Sequence, residues 1–468
     1  MLKKLLFLSM VIFLQLTAIN AQEKWNFQIM LGENDFGPIN TFMYAKFDQS
    51  NTLHQLHSAP NADKRIFGPF KTPLLRLFKK FAKKGILLTI NDIEVTHNTD
   101  GTDSLKGSIL MPMVGKGLFK GARKNDSISG SFFSKAYNVL VHLDGFKIAD
   151  NARFDYSDLP EKISNTTQKY LFNTAYLNTR KWNKFMRRIE KLANHAEDDL
   201  DLFFGFNLQA GKLPFSHFNL MFGDPSNERP VEEDALEQKT TNNVFYKKLT
   251  DHTALLEVIS FGGGAYEMDS VFSIVQNQQF ENLIIDLRDN GGGGLTSATV
   301  LGGYLIEKEV SIGYFVTNKW YSQMGEDNLE FEILPVSKEV STEGLRVELM
   351  HSRGCELVVH PGEKQYSGNI YILTNRNTAS TCEPMVYGLK SNKIATIIGE
   401  PTAGAMLSAA NIHVMNNFYL FMAIADYYTP DKTRIDQVGV SPDIEVPADE
   451  ALDYVIKLIS KSDIDNKY

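Results

Sequence analysis

The 468-residue chain has only two cysteines, Cys355 and Cys382. Two thiols at that separation form no metal signature. Export would permit a disulfide between them, but the spacing does not require one. There is no histidine–glutamate helix motif and no cysteine pair, so neither a metal nor a cofactor is expected. Basic residues do not predominate: 48 lysines and arginines face 56 aspartates and glutamates. That balance excludes the basic face that nucleic acid demands. Hydrophobic residues make up 43% of the chain and charged residues 22%, which leaves no room for a long disordered tract. The length exceeds one ordinary core, so two or three domains are expected.

One apolar run stands out, and it is at the start. Met1-Leu-Lys-Lys precedes Leu5 to Leu16, and Thr17-Ala-Ile-Asn-Ala21 follows. A basic end, an apolar run short for a bilayer and small residues before Ala21 form a secretory signal over 1–21, with a short membrane anchor as the alternative reading. No cysteine follows the run, which argues against a lipoprotein anchor. No later stretch is long and apolar enough to span a membrane. The mature protein is expected to be exported, periplasmic or extracellular, and two positive charges poorer than the full chain.

Residues 22–157 read as a β-rich domain. Candidate strands are Trp25 to Met30, Thr41 to Phe47, Ile86 to Val95, Gly107 to Met113, Ser127 to Phe133 and Val139 to Phe146, divided by turn signals such as Asn98-Thr-Asp-Gly101. A helix over Thr72 to Lys84 interrupts them. A β-sandwich and a small barrel both fit. Residues 158–242 form a helical segment and linker. Apolar residues at helical spacing mark Thr166 to Leu177 and Thr179 to Ala196. Arg180, Lys181, Arg187 and Arg188 read as the solvated face of the second helix. The polar, acidic stretch Asp224 to Lys239 reads as a linker.

From 243 to 468 strands alternate with helices, which predicts an α/β domain. Its strands are Ala254 to Phe261, Leu283 to Leu287, Asn369 to Thr374 and Ala395 to Gly399. Its helices are Asp269 to Gln278, Leu295 to Leu305 and Glu383 to Leu389. Extra β-like runs lie between Glu307 and Gly368.

Two runs in this domain carry chemistry: Asn282-Leu-Ile-Ile-Asp-Leu-Arg-Asp-Asn-Gly-Gly-Gly-Gly294 and Asn377-Thr-Ala-Ser-Thr-Cys-Glu383. Glycines at a strand end let the backbone approach a ligand and present its N–H groups to an anion. Ser380, at a strand-to-helix turn, sits where a helix dipole favours negative charge. With Ile398-Gly-Glu-Pro-Thr-Ala-Gly404, Tyr427-Tyr-Thr-Pro-Asp431 and Gly439-Val-Ser-Pro-Asp-Ile-Glu-Val446, these runs form five blocks in order. The segment from about Thr253 to Pro447 resembles the C-terminal processing (tail-specific) protease and tricorn-core family of serine peptidases.

That resemblance implies a crotonase-like α/β core and an acyl-enzyme on Ser380. The oxyanion would be held by the N–H of Gly291 or Gly292 and that of Thr381. Asp286, Arg288 and Asn290 shape the glycine turn, with Arg288 and Asn290 also candidates to touch substrate. The processing proteases place a lysine where this chain has Ala405. The tricorn-type scheme uses a histidine on the strand Ala254 to Phe261, where Glu257 is the nearest aligned residue, and an acidic partner at Asp436. His252, His351, His360 and His413 are the nearby imidazoles. Cys382 reads as a small core residue. Two functions remain open: an exported serine endopeptidase or C-terminal processing peptidase with an atypical base, and a non-catalytic relative that binds peptides. Hydrolysis of another acyl substrate is a third. A peptide or protein partner is implied in the first two, and the oligomeric state is undetermined.

Overall fold

The structure, a computed structural model, describes residues 22–32, 37–50, 52–58, 66, 88–111, 114–135, 138–223, 243–339 and 341–465. The signal over 1–21, the helix over Thr72 to Lys84 and the linker over Asp224 to Lys239 lie outside the described residues. No described helix is long and apolar enough to cross a membrane.

The first part is a closed barrel of eight antiparallel strands. In chain order these are β1 (Glu23–Leu31), β2 (Ile39–Phe47), β3 (Leu53–Ser58), β4 (Thr89–His97), β5 (Asp103–Met111), β6 (Gly115–Lys124), β7 (Ser127–Ser134) and β8 (Val139–Lys147). Pairing of β1 with β8 closes the ring and removes the sheet edges. Trp25, Phe27, Phe119 and Phe132 fill the interior. Aromatic rings lie over glycines of neighbouring strands: a Cβ on Gly145 would stand 2.5 Å from the Phe27 ring, and one on Gly130 2.4 Å from that of Phe119. The barrel therefore prevails over the sandwich. The sequence signal of β6 is hidden because Gly117 and Gly121, on the same face as the buried Phe119, contribute no apolar side chain.

Three helices follow: α1 (Leu159–Tyr170), α2 (Arg180–Ala193) and α3 (Asp199–Ala210), then β9 (Phe218–Phe222). Thr179 caps α2 by accepting from Trp182 N, and Asp198 caps α3 by accepting from Asp201 N. Helix α3 has no narrow apolar stripe because it is covered on two sides. Leu200 packs into the barrel interior, whereas Leu202 and Phe206 join the core of the α/β region. Two buried carboxylates fasten this joint. Asp198 accepts from Phe42 N at 2.7 Å and Thr41 Oγ1 at 3.1 Å, and Asp199 accepts from Asn40 N and Tyr156 Oη, each at 2.8 Å.

The rest of the chain runs β10 (Val244–Lys248), β11 (Thr253–Val258), α4 (Ala265–Gln278), β12 (Asn282–Asp286), α5 (Leu295–Leu305), β13 (Val310–Thr317), α6 (Asn318–Met324), α7 (Thr342–His351), β14 (Gly354–Val359), β15 (Asn369–Thr374), α8 (Cys382–Ser391), β16 (Thr396–Gly399), β17 (Ser408–Met415), β18 (Phe418–Tyr428), β19 (Ile444–Glu445) and α9 (Ala451–Asp465). One sheet has the order β10-β11-β12-β15-β16-β19, parallel except for β10. Every residue of β12 is buried, as a parallel strand covered on both faces requires. On one face Leu255, Ile284, Leu373 and Ile398 pack against Ala451, Val455 and Ile459 of α9. The opposite face belongs to the main core, shared with α1, α2 and α3. An antiparallel sheet, β14-β13-β18-β17, lies beyond, and β9 pairs with the first half of β18. That pairing brings the chain just before β9 to the C-terminal ends of β12 and β15, where open α/β sheets place their ligands.

Candidate active site

The two chemistry-bearing runs are laced together after β12 and β15. Thr378 Oγ1 donates to Leu287 O at 2.8 Å, and Ala379 N donates to Asn290 O at 3.0 Å. Asp289 Oδ1 accepts from Asn375 Nδ2 at 2.9 Å and Asn377 Nδ2 at 2.7 Å. The polar residues flanking the glycines thus hold the serine turn. Ser380 itself takes φ 56°, a left-handed conformation that a non-glycine residue keeps only when its surroundings impose it.

The restraint comes from Glu383, which is fully buried. Its carboxylate accepts from Ser380 N at 3.1 Å, Thr402 Oγ1 at 2.7 Å, Gly404 N at 2.7 Å and Ala405 N at 2.8 Å. Burial raises its pKa, and the four donors oppose that shift. Ala405, where the processing proteases carry lysine, thus contributes only its backbone here.

The glycine turn differs from expectation by one residue. Gly292 N donates to Asn290 Oδ1 at 2.8 Å, so that N–H is spent inside the turn. Gly291 is exposed and does not border the cavity beside Ser380. Gly293 does border it, with Thr381, and neither N–H has a protein acceptor among the described residues. A side chain on Gly293 is excluded: φ is 140° and a Cβ would lie 2.5 Å from the backbone of Phe261. Thr381 Oγ1, donating to Gly293 O at 2.9 Å, ties the two donors together.

Asn290 and Arg288 both bond to the protein. Asn290 is buried and also donates from Nδ2 to Val258 O at 2.9 Å. Arg288 donates from Nε at 2.8 Å and from Nη2 at 2.5 Å to Asp286, and from Nη1 at 2.5 Å to Ala448 O. Neither borders the cavity beside Ser380. Glu257 is displaced from Ser380 by strand parity. It shares a face of β11 with Leu255, which packs toward α9. Its carboxylate is exposed there, on the side where Arg288 meets Asp286. The structure does not bring it to the serine.

The imidazole that borders the Ser380 cavity is His217, from the loop between α3 and β9. Its ring stands 5.4 Å from that of Phe421, centroid to centroid. His217 Nδ1 lies 2.7 Å from Ser216 Oγ, and Ser216 Oγ lies 2.7 Å from Asp436 Oδ1. A hydroxyl has one hydrogen, which it donates to the carboxylate, so its lone pair accepts Nδ1–H. This fixes the tautomer that leaves the Nε2 lone pair unprotonated. Loss of water around the ring lowers the His217 pKa to about 4, and the charge of Arg346 adds to the shift. Asp436 is buried, which raises its pKa, while Ser216 and Arg434 favour the carboxylate; Arg434 Nη2 is 3.3 Å away.

The four histidines considered from sequence lie elsewhere. His252 pairs with Glu281 and His360 with Glu309, each at 2.9 Å on the surface, and His413 Nε2 contacts Asn416 O at 2.7 Å. His351, also exposed, closes α7. The signal for His217 was slight: a Ser-His pair between Phe215 and Phe218, ahead of a short strand.

Beside Ser380 is a cavity of about 100 Å³ walled by Leu295, Ile312, Phe315, Met385, Leu407 and Phe421. Cys355 and Cys382 are both buried free thiols, and burial pushes each pKa up to about 12. Among the described residues no group of three or more His, Cys, Asp or Glu side chains could hold a metal ion.

A serine on a strand-to-helix turn beside two free backbone donors is the layout of a serine hydrolase. Residues 252–446 match the family model of Peptidase family S41. Over 164 residues the chain is 27% identical to the chloroplastic carboxyl-terminal-processing peptidase 2 of Arabidopsis thaliana, covering 35% of this chain and 26% of that protein. It is 25% identical over 173 residues to the tail-specific protease of Haemophilus influenzae, 36% of this chain and 20% of that one. These matches thus span less than a third of either relative. The solved photosystem II D1 C-terminal processing protease is 13% identical, with a TM-score of 0.39 over 63% of this chain and 94% of its own.

Proposed function

We propose that the protein is an exported serine endopeptidase or C-terminal processing peptidase whose general base is His217. The observation that carries this reading is the line Asp436–Ser216–His217 entering the cavity that Ser380 borders. The six-stranded sheet with its site beyond β12 and β15 is read as the crotonase-like core that the resemblance implies. His217 Nε2 takes the proton of Ser380 Oγ as that oxygen attacks a peptide carbonyl. The N–H groups of Gly293 and Thr381 receive the oxyanion. The imidazolium, stabilised through Ser216 by Asp436, returns the proton to the departing amine. Water, deprotonated by the same nitrogen, then releases the acyl group from Ser380. The apolar cavity receives one side chain of the substrate.

The non-catalytic alternative draws its support from the missing lysine or histidine at the family's positions; a base at His217 would answer it. The test is labelling of the mature protein with a fluorophosphonate. Labelling that vanishes in Ser380→Ala is the expected result. Absence of labelling in the folded wild-type protein would leave the peptide-binding reading in its place.

A further inference from the structure

We infer that Arg346 is a carboxylate-binding group of the Ser380 cavity, so that the site selects peptides presenting a carboxylate next to the residue it accepts. The inference rests on the peptidase reading for its substrate class, but its geometry stands apart from the catalytic groups. Arg346 lies on α7, between β13 and β14, and borders the same cavity as Ser380 and His217. The rest of that wall is apolar or carries hydroxyls such as those of Thr342 and Ser408, and Arg346 is its one Asp, Glu, Lys or Arg side chain among the described residues. A guanidinium carries five N–H donors in a rigid fork that matches a carboxylate. Arg346 Nε donates to Ala409 O at 2.8 Å, which pins the group against β17. Nη1 makes only a long contact of 3.4 Å with Glu343, whose side chain is 62% exposed. A contact that long and wet contributes little. Among the described residues Nη2 has no partner, so one edge of the fork remains open.

The position also has a consequence for chemistry. Arg346 is near enough to His217 for its charge to disfavour imidazolium. A substrate carboxylate on Arg346 cancels that charge at the moment His217 takes the proton. Binding and base strength would then be coupled, and only the correct substrate would draw full catalysis.

Two carboxylates fit this chemistry: the free C-terminus of a peptide and an acidic side chain. The experiment uses the mature chain carrying Ser380→Ala, so that peptides bind without turnover. Four fluorescein-labelled pentapeptides, four alanines followed by one variable residue, are compared by fluorescence polarisation: leucine acid, leucine amide, glutamate amide and glutamine amide. At least one carboxylate-bearing peptide is expected to bind about 10-fold or more tightly than its neutral partner. A gap between the leucine pair identifies the terminal carboxylate, and a gap between the glutamate and glutamine amides the side chain. Adding Arg346→Met is expected to bring that ratio to about one, with part of it retained in Arg346→Lys. Equal binding by all four peptides, binding by none, or a preference that survives Arg346→Met overturns the inference. Because the readout is binding, it is independent of whether wild-type Ser380 is labelled.

Discussion

Ser216 Oγ stands 2.7 Å from Asp436 Oδ1, joining residues 220 positions apart. That hydroxyl is the sole side chain between the buried carboxylate and the imidazole beside it. Its loss would leave His217 Nδ1 and Asp436 Oδ1 facing a gap. Each group is therefore expected to contribute to serine activation in proportion to its nearness to the proton in flight.

His217→Gln is expected to lower the rate of fluorophosphonate labelling by about 10³-fold or more, since it removes the proposed base. Glu257→Gln, altered on the α9 face, should label at the wild-type rate. The pH dependence follows from the lowered pKa of His217. A base acts when deprotonated, so labelling should rise through about pH 4 and be level by neutrality. A midpoint near the ordinary histidine value of about 6.5 would contradict this environment.

Ser216→Ala should cost less, about 10–100-fold, because the imidazole remains but its tautomer is no longer fixed. A structural role alone would leave the pH profile unmoved. A positioning role predicts a shifted midpoint at unchanged circular dichroism, and the labelling rate against pH distinguishes the two.

Glu383→Gln should destabilise the fold by about 2–4 kcal/mol, measured by denaturant unfolding, because an amide turns its own donors toward four donors that now have an acceptor. It should also slow labelling, since Ser380 N loses the contact that holds the left-handed turn.

Part of this candidate site's placement was legible in the sequence, for local reasons. Ser380 and Thr381 follow an apolar strand and open a helix, and Asp436 precedes the Gly439 block. Those relations survive folding because neighbours in sequence create them. That Gly293, rather than Gly291 or Gly292, borders the cavity was not legible. It turns on which N–H the Asn290 side chain consumes, a matter of rotamer rather than order. Glu257 was misplaced because the run Thr253 to Val258 is apolar on both faces, which hides which side each residue takes. His217 was missed for a deeper reason. Its neighbours, Asp436 and Phe421, come from the far end of the chain, and the pairing of β9 with β18 that gathers them has no signature in the residues around it. The barrel was half visible for a similar cause: where rings lie over glycines, the glycine strand shows no apolar rhythm.

The hydrogen-bonded path through Ser216 crosses the border of the homologous segment. Residues 252–446 contain Ser380 and Asp436, and the imidazole arrives from before them. On the proposed mechanism, a fragment cut to that border would carry Ser380 without His217, and its silence in an assay would not test the proposal. The helices before that border share the main core with the matched segment, so the unit to express and test is longer than the segment that the family model matches.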